Sequence, residues 1–360
     1  MYLYVFICII CIVIVCFNTL LYNIFTISIF LVLNIIMKKR IYINSEYFDK
    51  KDFMIWLDKN DYEFSDIFNK SDKKIDFLYI DQTTKKQIKD YIYKNIKVSI
   101  MSYVIPNFSF FDKDFLHEYV EKKDKTLFQK YFLRQQDISQ SVLKSLKKDK
   151  TYIVKPIPGF AGDGIKVFRG SDGIKEHIDI VEKKTKKRDK WIVQDYIEEP
   201  LLLKGRKFHM RIMILLVGGN AYFYKDFLVY PARKEFTLDD LSEEVHDTHG
   251  TLTESYEKSM FPAEYIDMAY TKEIYIQIAN LFIGLKKIGL FEHKCYKDSE
   301  KCYQLFGADI MITKDYQVKC LEINYKPGLT NFLKRMPHLI KGIFDLTLFG
   351  KKEGTGYYKI

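Results

Sequence analysis

The chain has 360 residues, a formal net charge of +10 and 48% hydrophobic residues, so it can bury a large core and divide into two or three subdomains. The positive charge favours an acidic partner: a nucleotide, an acidic peptide, a membrane surface or nucleic acid. The six cysteines are too few and too scattered for a disulfide framework, lack zinc-site spacing and are expected to be reduced thiols.

The N-terminal run 1–37 carries no charge and consists mostly of apolar residues. As one helix it would extend ~55 Å, more than a ~30 Å hydrocarbon core requires, so we expect a transmembrane anchor with one tilted span or two short spans. Lys38, Lys39 and Arg40 follow, which predicts a single-pass protein with the bulk of the chain facing the cytosol. Met37 offers an alternative start, from which the protein would be cytoplasmic and lack the anchor.

The next region, 38–110, mixes apolar and charged positions without a chemical motif. A strand near 77–80 and a helix through 83–96 predict a small α/β subdomain. An extended segment and a helix are expected within 102–123, and a further short helical stretch at 138–146.

A glycine-rich loop follows a predicted buried strand at 151–156. The strand contains Lys155, and Gly159, Gly162 and Gly164 precede a second strand, IKVF. Glycines allow close backbone approach, so this loop could direct N–H groups at phosphate oxygens with Lys155 as the opposing charge. A plain tight turn is the alternative, because no helix follows as in a Walker A loop or a dinucleotide-binding motif.

The basic run VEKKTKKRDK at 181–190 lies between a predicted helix and a predicted strand. It is either a solvated, mobile loop or an electrostatic guide for an acidic polypeptide. No aromatic residues are interleaved for base stacking, so nucleic acid is not the expected partner.

A strand that begins at Arg206 alternates in character. Lys207, His209 and Arg211 share one face, and the apolar residues between them face the other way. Such a positive stripe, backed by a core, is expected where anionic phosphates lie over a sheet. A solvated edge strand is the alternative, and His209 alone is expected to be an ordinary histidine.

Beyond a strand at 221–231, the polar loop VHDTHGT at 245–251 contains His246, Thr248 and His249. Two histidines without a third ligand nearby do not predict a metal site. An amphipathic helix is expected at 265–285, and a closing helix at 331–348.

Between these two helices the pattern predicts a hairpin of strands 304–312 and 317–324. Glu322 and Asn324 point to the same face, and Asp309 interrupts the otherwise apolar first strand. Three oxygen ligands on one hairpin suit Mg²⁺, which binds a few carboxylates, substrate phosphates and water. The alternative is a half-exposed hairpin with ordinary polar residues.

Five segments in this order resemble the tubulin–tyrosine ligase-like family, a branch of the ATP-grasp ligases. They are YIVKP, AGDGI, VQDYIEEPLLLKGRKFHMRI, YQLFGADIMI and LEINYKPGL. The similarity covers roughly 102–335 and is dense from residue 151. It implies an α/β (α+β) ATP-grasp fold with ATP between two antiparallel sheets, following the N-terminal hydrophobic segment.

The resemblance also implies roles for residues that match the family's motifs. A central subdomain at 111–190 would carry the glycine-rich loop, a C-terminal subdomain at 191–348 the Mg²⁺ site, and 349–360 a polar tail. The hinge to adenine would be 194–197. The implied ATP-binding residues are Lys155, Gly159, Gly162, Gly164, Gln194, Asp195, Tyr196, Ile197, Lys207 and Thr248; the Mg²⁺ ligands are Asp309, Glu322 and Asn324; the catalytic residues are Lys207, Arg211 and Glu322.

Three departures from the family pattern concern the substrate side of the site. His209 replaces a carboxylate in the Lys-Phe-Asp-x-Arg motif, and Tyr230 aligns with an arginine that faces the acceptor. The family's His-Leu-Thr-Asn segment matches 246–249 only loosely, through Thr248. Binding of ATP and Mg²⁺ is therefore better supported than any particular acceptor or amino-acid donor.

We expect an ATP-dependent carboxylate–amine ligase that adds a free amino acid to a protein carboxylate through an acyl phosphate. The implied acceptor is an acidic protein tail such as that of tubulin, and the ligase is expected to be a monomer held at a membrane by 1–37. One alternative is an ATP-grasp ligase for a small-molecule acid or peptide. Another is a membrane-tethered nucleotide-binding protein without turnover.

Overall fold

The computed structural model describes most of 113–360 and several short segments before it. The earlier segments are 39–44, 62–65, 74–80, 97–101 and 104–105, with 87, 91 and 94–95. The gaps beyond residue 113 are 158–163, 187–188, 219, 249–267, 292–293, 296–300, 326, 328, 330–335, 337 and 352.

The described residues form strands and helices in a mixed order along the chain. The strands are β1 Lys39–Asn44, β2 Tyr62–Ser65, β3 Lys74–Ile80, β4 Lys97–Met101, β5 Val104–Ile105, β6 Gln135–Asp137, β7 Thr151–Ile157, β8 Lys166–Arg169, β9 Lys190–Asp195, β10 Leu202–Leu203, β11 Arg206–Val217, β12 Asn220–Pro231, β13 Lys294–Cys295, β14 Lys301–Ile312, β15 Val318–Asn324 and β16 Tyr357–Lys359. The helices are α1 Lys113–Lys123, α2 Lys125–Tyr131, α3 Gln140–Ser145, α4 Ile174–Thr185, α5 Glu243–His246, α6 Met268–Lys287 and α7 His338–Thr347.

A ten-stranded sheet forms the larger layer, in the order β16-β12-β11-β14-β4-β3-β1-β2, with β10 on β11 and β15 on β14. Its C-terminal strands are antiparallel, and β4, β3, β1 and β2 extend it in parallel. The predicted hairpin is therefore present as β14 and β15, where Asp309 pairs with Glu322 and Gly307 with Asn324.

The two faces of β11 lie against different parts of the protein, because successive side chains point to opposite sides of a strand. Met210, Ile212 and Ile214 belong to a core with residues of α6. Met213 and Leu215 face the other way, into a second core with residues of α7. This second face continues toward the start of β11, past Arg211 to Lys207. There a cleft, in place of α7, lies over the strand.

A separate four-stranded antiparallel sheet, in the order β6-β9-β7-β8, covers that part of the large sheet. Tyr152 and Val154 of β7 pack with Trp191 and with Ile174 of α4. The intervening residue Lys155 faces the opposite side, toward the large sheet, so the two sheets enclose a cleft.

His117 of α1 joins the two layers. Its imidazole is 2% exposed, with Nδ1 3.2 Å from the carbonyl oxygen of Leu133 and Nε2 3.5 Å from that of Leu321. Burial, followed by the positive charge of Lys155, lowers the pKa of His117 to about 4. The imidazole is therefore neutral at pH 7, has one N–H and donates to one of these two carbonyl oxygens, while its ring lies buried between the segment before β6 and β15.

These observations confirm the predicted mixed α/β fold with antiparallel sheets; the subdomain bounds stay predictions. The predicted helix at 83–96 lies mostly outside the described residues. The C-terminal segment 349–360 contains β16, which pairs with β12 as an edge strand.

Cys320 is a free, buried thiol, whereas Cys302 is disulfide-bonded, so the expectation of reduced thiols is wrong for Cys302.

The prediction of a single-pass membrane location is wrong. In the described part of the chain, no helix is long and apolar enough to cross a bilayer. The run 1–37, for which the span and the membrane contact are predicted, lies outside the described residues.

Packing of the C-terminal segment on α7 gives a prediction for stability. We expect Gly342→Ala to lower the free energy of unfolding, measured with urea at pH 7, by about 1–3 kcal/mol, as overpacking does. An added Cβ would meet the Thr355 carbonyl and stand 2.8 Å from the Tyr357 ring.

Gly284→Ala in α6 is the matched control for this change. Both substitutions gain about 1 kcal/mol of helix propensity, but the methyl at 284 meets only the flexible end of Leu127. Equal losses of stability in the two variants would contradict a special constraint at Gly342.

Candidate active site

The cleft between the two sheets holds most of the residues predicted to bind ligands. It encloses about 840 Å³ of empty space, open solvent included. The predicted residues that line it are Lys155, Gln194, Asp195, Tyr196, Ile197, Lys207, Thr248, Asp309 and Glu322. The fold thus collects side chains that are up to 167 positions apart, 322 − 155, at one site.

Lys155 on β7 lies in the wall formed by the small sheet. Its Nζ donates to Gln194 Oε1 at 2.8 Å, and Gln194 Nε2 donates to Gln135 Oε1 at 3.1 Å. This chain of bonds joins β7, β9 and β6. It fixes the buried amide of Gln194, so its backbone and side chain are both held in place beside the cleft.

Lys207 on β11 lies in the opposite wall and is 3% exposed. Its Nζ donates to the Tyr196 hydroxyl at 2.8 Å and to the His246 carbonyl at 3.2 Å. Burial, together with the charge of Lys155, lowers the pKa of Lys207 to about 7, although Asp247 acts in the opposite direction. Lys207 therefore lies beside the predicted hinge, close to the point of half-protonation at neutral pH.

His246 closes this side of the cleft. Its Nδ1 lies 2.6 Å from the Tyr196 hydroxyl, and its Nε2 lies 2.7 Å from the Asp240 carbonyl. Burial and the nearby Lys207 charge lower the pKa of His246 to about 4, so its ring is neutral at pH 7. No zinc-like role is needed to explain this histidine.

His209, which stands where the family pattern has a carboxylate, is buried next to Lys207 on the same face of β11. Its Nδ1 lies 2.7 Å from the Thr248 hydroxyl, and its ring stacks on Tyr230 with centroids 4.9 Å apart. The two departures, His209 and Tyr230, are thus register partners across β11 and β12. Both are satisfied by contacts within the protein.

Arg211 and Asp309 form a bidentate ion pair between β11 and β14. Arg211 Nε bonds Asp309 Oδ1, and Nη2 bonds Oδ2 at 2.6 Å. Burial opposes the charge on Arg211, but the adjacent Asp309 more than offsets it, and the pKa of Arg211 lies above its ordinary value. Both groups are charged at pH 7, and Asp309 is only 2% exposed.

The predicted magnesium ligands are close together on the hairpin. Glu322 pairs in register with Asp309, and Asn324 Nδ2 donates to Glu322 Oε1 at 2.8 Å. A carboxylate has about four lone-pair sites, and Arg211 occupies two of those on Asp309. The three side chains therefore still have oxygen atoms that can act as ligands for Mg²⁺. Within the described ranges no group of three His, Cys, Asp or Glu residues forms a metal cluster.

The glycine-rich loop is only partly described. Gly159 and Gly162 lie outside the described residues. Gly164 has a φ of +74°, and a Cβ there would stand 3.2 Å from Pro156 and 3.3 Å from Trp191. Gly164 thus provides a tight turn against β7 and β9, and its predicted contact with phosphate stays a prediction.

Several residues in the cleft or next to its lining escaped the sequence-based prediction. Gln135 holds Gln194, His246 holds Tyr196, and Asp247 acts on the charge of Lys207. Apolar side chains complete the walls: Leu133, Ile153, Ile165, Val167, Met311 and Leu321. The alternating pattern of β7 and β15 indicates which residues share a face, but only the pairing of the sheets shows that these faces meet.

The basic run at 181–190 is divided between a helix and a strand. Lys183 and Lys184 lie in the last turn of α4, and Lys186 follows it; all three are exposed. Lys190 begins β9 and forms ion pairs with Asp114, at 2.7 Å, and Asp137, at 3.0 Å. The run is therefore not one mobile loop, and Lys190 contributes to holding α1 and the small sheet together.

Comparison with known proteins identifies the family. The model of the tubulin-tyrosine ligase family matches 69–351, and the chain belongs to this family, as the resemblance predicts. A probable tubulin–tyrosine ligase of Schizosaccharomyces pombe is 22% identical over 329 residues, covering 81% of this chain and 80% of that protein.

Other relatives are named for different activities. The tubulin monoglycylase TTLL3 of Mus musculus is 28% identical over 55% of this chain, and the tubulin polyglutamylase TTLL7 of Homo sapiens is 26% identical over 52%. In each case the match spans 23% of the relative's length. The names of these relatives thus imply different amino acids, although all belong with this chain to one family.

The buried charge of Lys207 predicts a pH-dependent stability. Folded Lys207 releases its proton near pH 7, whereas the unfolded chain retains it up to the ordinary pKa of 10.5. Between these values the unfolded state binds more protons, so the free energy of unfolding should rise with pH. Relative to Lys207→Met, the wild type should gain about 2 kcal/mol between pH 7 and pH 9 in urea unfolding.

An exposed lysine provides the control for this measurement. Lys286→Met in the last turn of α6 removes a charge at an exposed site, so its difference from wild type should not change with pH. If the Lys207→Met and wild-type curves run parallel from pH 7 to pH 9, Lys207 does not titrate in this range.

Proposed function

We propose that the chain is an ATP-dependent carboxylate–amine ligase that joins an amino acid to a carboxylate of an acidic protein tail. The observation that carries this proposal is the cleft that Lys155, Lys207 and the carboxylates of Asp309 and Glu322 line together. Membership of the tubulin-tyrosine ligase family, whose named relatives include a glycylase and a polyglutamylase, supports ligation as the reaction.

ATP would lie between the sheets with its base against the hinge 194–197. The apolar side chains of Ile153, Met311 and Leu321 suit a base, and Lys155 offers a positive charge for phosphates from the small sheet. Lys207 would act from the large sheet, next to Tyr196. Opposed cations of this kind offset the charge of a polyphosphate in a site that excludes water.

Asp309, Glu322 and Asn324 would hold Mg²⁺, which when bound neutralises charge on the phosphates that it contacts. Asp309 is kept ionised by Arg211, and Glu322 is oriented by the amide of Asn324. These contacts would present preorganised oxygen ligands at the end of the cleft away from the hinge.

Bound ATP would supply the γ-phosphoryl group that activates the acceptor carboxylate as an acyl phosphate, releasing ADP. Attack by the amino group of the donor then forms the amide, and inorganic phosphate and a proton leave. Arg211 remains charged and lies beside Asp309, so it could bind the acceptor carboxylate or the tetrahedral intermediate. The positioned charges replace the need for a protein nucleophile.

The acceptor is proposed from charge and from the relatives. The chain has a net charge of +10, and Lys183, Lys184 and Lys186 are exposed on the small-sheet side of the protein. An acidic polypeptide such as a tubulin tail fits this charge. Mass spectrometry of tubulin and of a proteome extract, after incubation with protein, Mg-ATP and pooled amino acids, would identify donor and acceptor together.

A nucleotide-binding protein without turnover is the second candidate. The observations that favour it are the bidentate hold of Arg211 on Asp309 and the presence of His209 in place of a carboxylate. Binding of ADP without any ATP-dependent release of phosphate, across acceptors that include tubulin, would select this second function.

The hairpin yields a direct test of the ligase proposal. Glu322→Gln should retain the fold but reduce ATP-dependent turnover by about 10²-fold or more, the scale expected when one preorganised charge is lost. Turnover is followed by phosphate release, and folding by the melting temperature. Asp315→Asn, in the exposed turn of the same hairpin, should retain full activity. Turnover of Glu322→Gln within a few-fold of wild type would remove Glu322 from the mechanism.

The exposed lysines at the end of α4 give a second test. Replacing Lys183, Lys184 and Lys186 with serine should raise the acceptor KM and flatten its dependence on salt, while the KM for ATP stays the same. Serine at Lys286 and Lys287, in the exposed last turn of α6, is the matched control. If both sets of variants behave alike, the α4 lysines do not guide the acceptor.

A further inference from the structure

The hydrogen bonds around Lys207 have one defined direction. The Asp240 carbonyl can only accept, so His246 Nε2 must carry the proton of the bond between them. Because the ring is neutral, its Nδ1 has no proton and accepts from the Tyr196 hydroxyl. The Tyr196 oxygen is then left to accept from Lys207 Nζ. The order of donation is Lys207 to Tyr196 to His246 to Asp240.

This series of hydrogen bonds holds the Lys207 ammonium from two sides. Nζ lies 2.8 Å from the Tyr196 oxygen and 4.4 Å from the centre of the Tyr196 ring, so a hydrogen bond and a cation–π contact come from one side chain. The His246 carbonyl accepts a second bond at 3.2 Å. An ammonium has three N–H donors, and Lys207 lines the cleft, which leaves one donor for a ligand.

His246, the last residue of α5, is itself held in place by several neighbours. Besides its bond to Asp240, its ring meets Phe236 edge-on at 5.6 Å and Tyr196 edge-on at 5.5 Å. The segment from Leu241 to Thr248 contributes to the cleft wall. The Tyr196–His246 bond thus joins this segment to the hinge strand across Lys207.

We propose that Tyr196 and His246 are positioning residues, which fix Lys207 so that its remaining donor meets an anionic nucleotide. The inference deepens the proposed function and rests on it, because the nucleotide is the expected ligand. It assigns a role to the side chain of Tyr196, whereas the hinge assignment concerns the segment as a whole. It also gives His246 a role that does not require a metal.

Three substitutions separate this role from simple packing. Tyr196→Phe removes only the hydroxyl, and His246→Leu removes the acceptor of that hydroxyl. His246→Gln keeps an acceptor at the position and is the conservative variant. Tyr224→Phe, a buried tyrosine of β12 that packs on Tyr357 outside the cleft, is the matched control.

Two readouts are measured on the full chain, together with the melting temperature. The first is the dissociation constant for ADP by titration calorimetry. The second needs no nucleotide: the rate at which trinitrobenzenesulfonate modifies Lys207 is followed by peptide mass spectrometry from pH 6 to pH 9. The midpoint of this rate reports the protonation of Lys207 in the free protein.

We expect Tyr196→Phe to weaken ADP binding about tenfold, as loss of a hydrogen bond to a charged group does. The Lys207 midpoint should fall below that of wild type, because the ammonium loses an acceptor while it remains buried. His246→Leu should act in the same direction, His246→Gln should stay within about threefold of wild type, and Tyr224→Phe should match wild type.

The two readouts distinguish the ways in which the inference can fail. If Tyr196→Phe changes neither ADP affinity nor the Lys207 midpoint, or lowers only the melting temperature, Tyr196 has no positioning role. If the wild type binds no ADP, the proposed function fails, and the Lys207 midpoint still decides whether Tyr196 and His246 hold the lysine.

Discussion

The burial of charge beneath the small sheet is the constraint on which the site depends. Removing a cation from water is costly unless hydrogen bonds or an opposite charge replace the lost hydration. Arg211 meets this requirement with the carboxylate of Asp309, and its pKa rises. Lys207 is held by the neutral Tyr196 hydroxyl and a backbone carbonyl, and its pKa falls. Two cations on the same face of β11 therefore have pKa values that are shifted in opposite directions.

The alternation of the strands made much of this site predictable from the sequence. The hairpin of β14 and β15 and the shared face of Lys207, His209 and Arg211 follow from a period of two residues in an otherwise apolar context. Family resemblance then indicated that 194–197 and Lys155 belong to the same site, and these residues do line the same cleft.

Contacts between distant segments could not be predicted in this way. The Arg211–Asp309 pair depends on the register of β11 against β14, and the two residues are 98 positions apart. The Tyr196–His246 bond likewise joins the residue after β9 to the end of α5, 50 positions later. Local patterns specify which face a residue occupies, whereas register between strands is decided by the assembled core and turns. The expected membrane location failed because it was argued from the run 1–37 alone.

The two departures from the family pattern are best understood as one change. A carboxylate at 209 and an arginine at 230 would be opposite charges directly across β11 and β12, a favourable cross-strand pair. Here His209 and Tyr230 occupy those positions as stacked rings 4.9 Å apart. On the predicted family pattern, one negative and one positive charge would be lost together, so the exchange would leave the local charge balance unchanged. No compensating change is therefore needed in the charges of Lys207, Arg211, Asp309 and Glu322. For this reason we expect the nucleotide site to survive these substitutions.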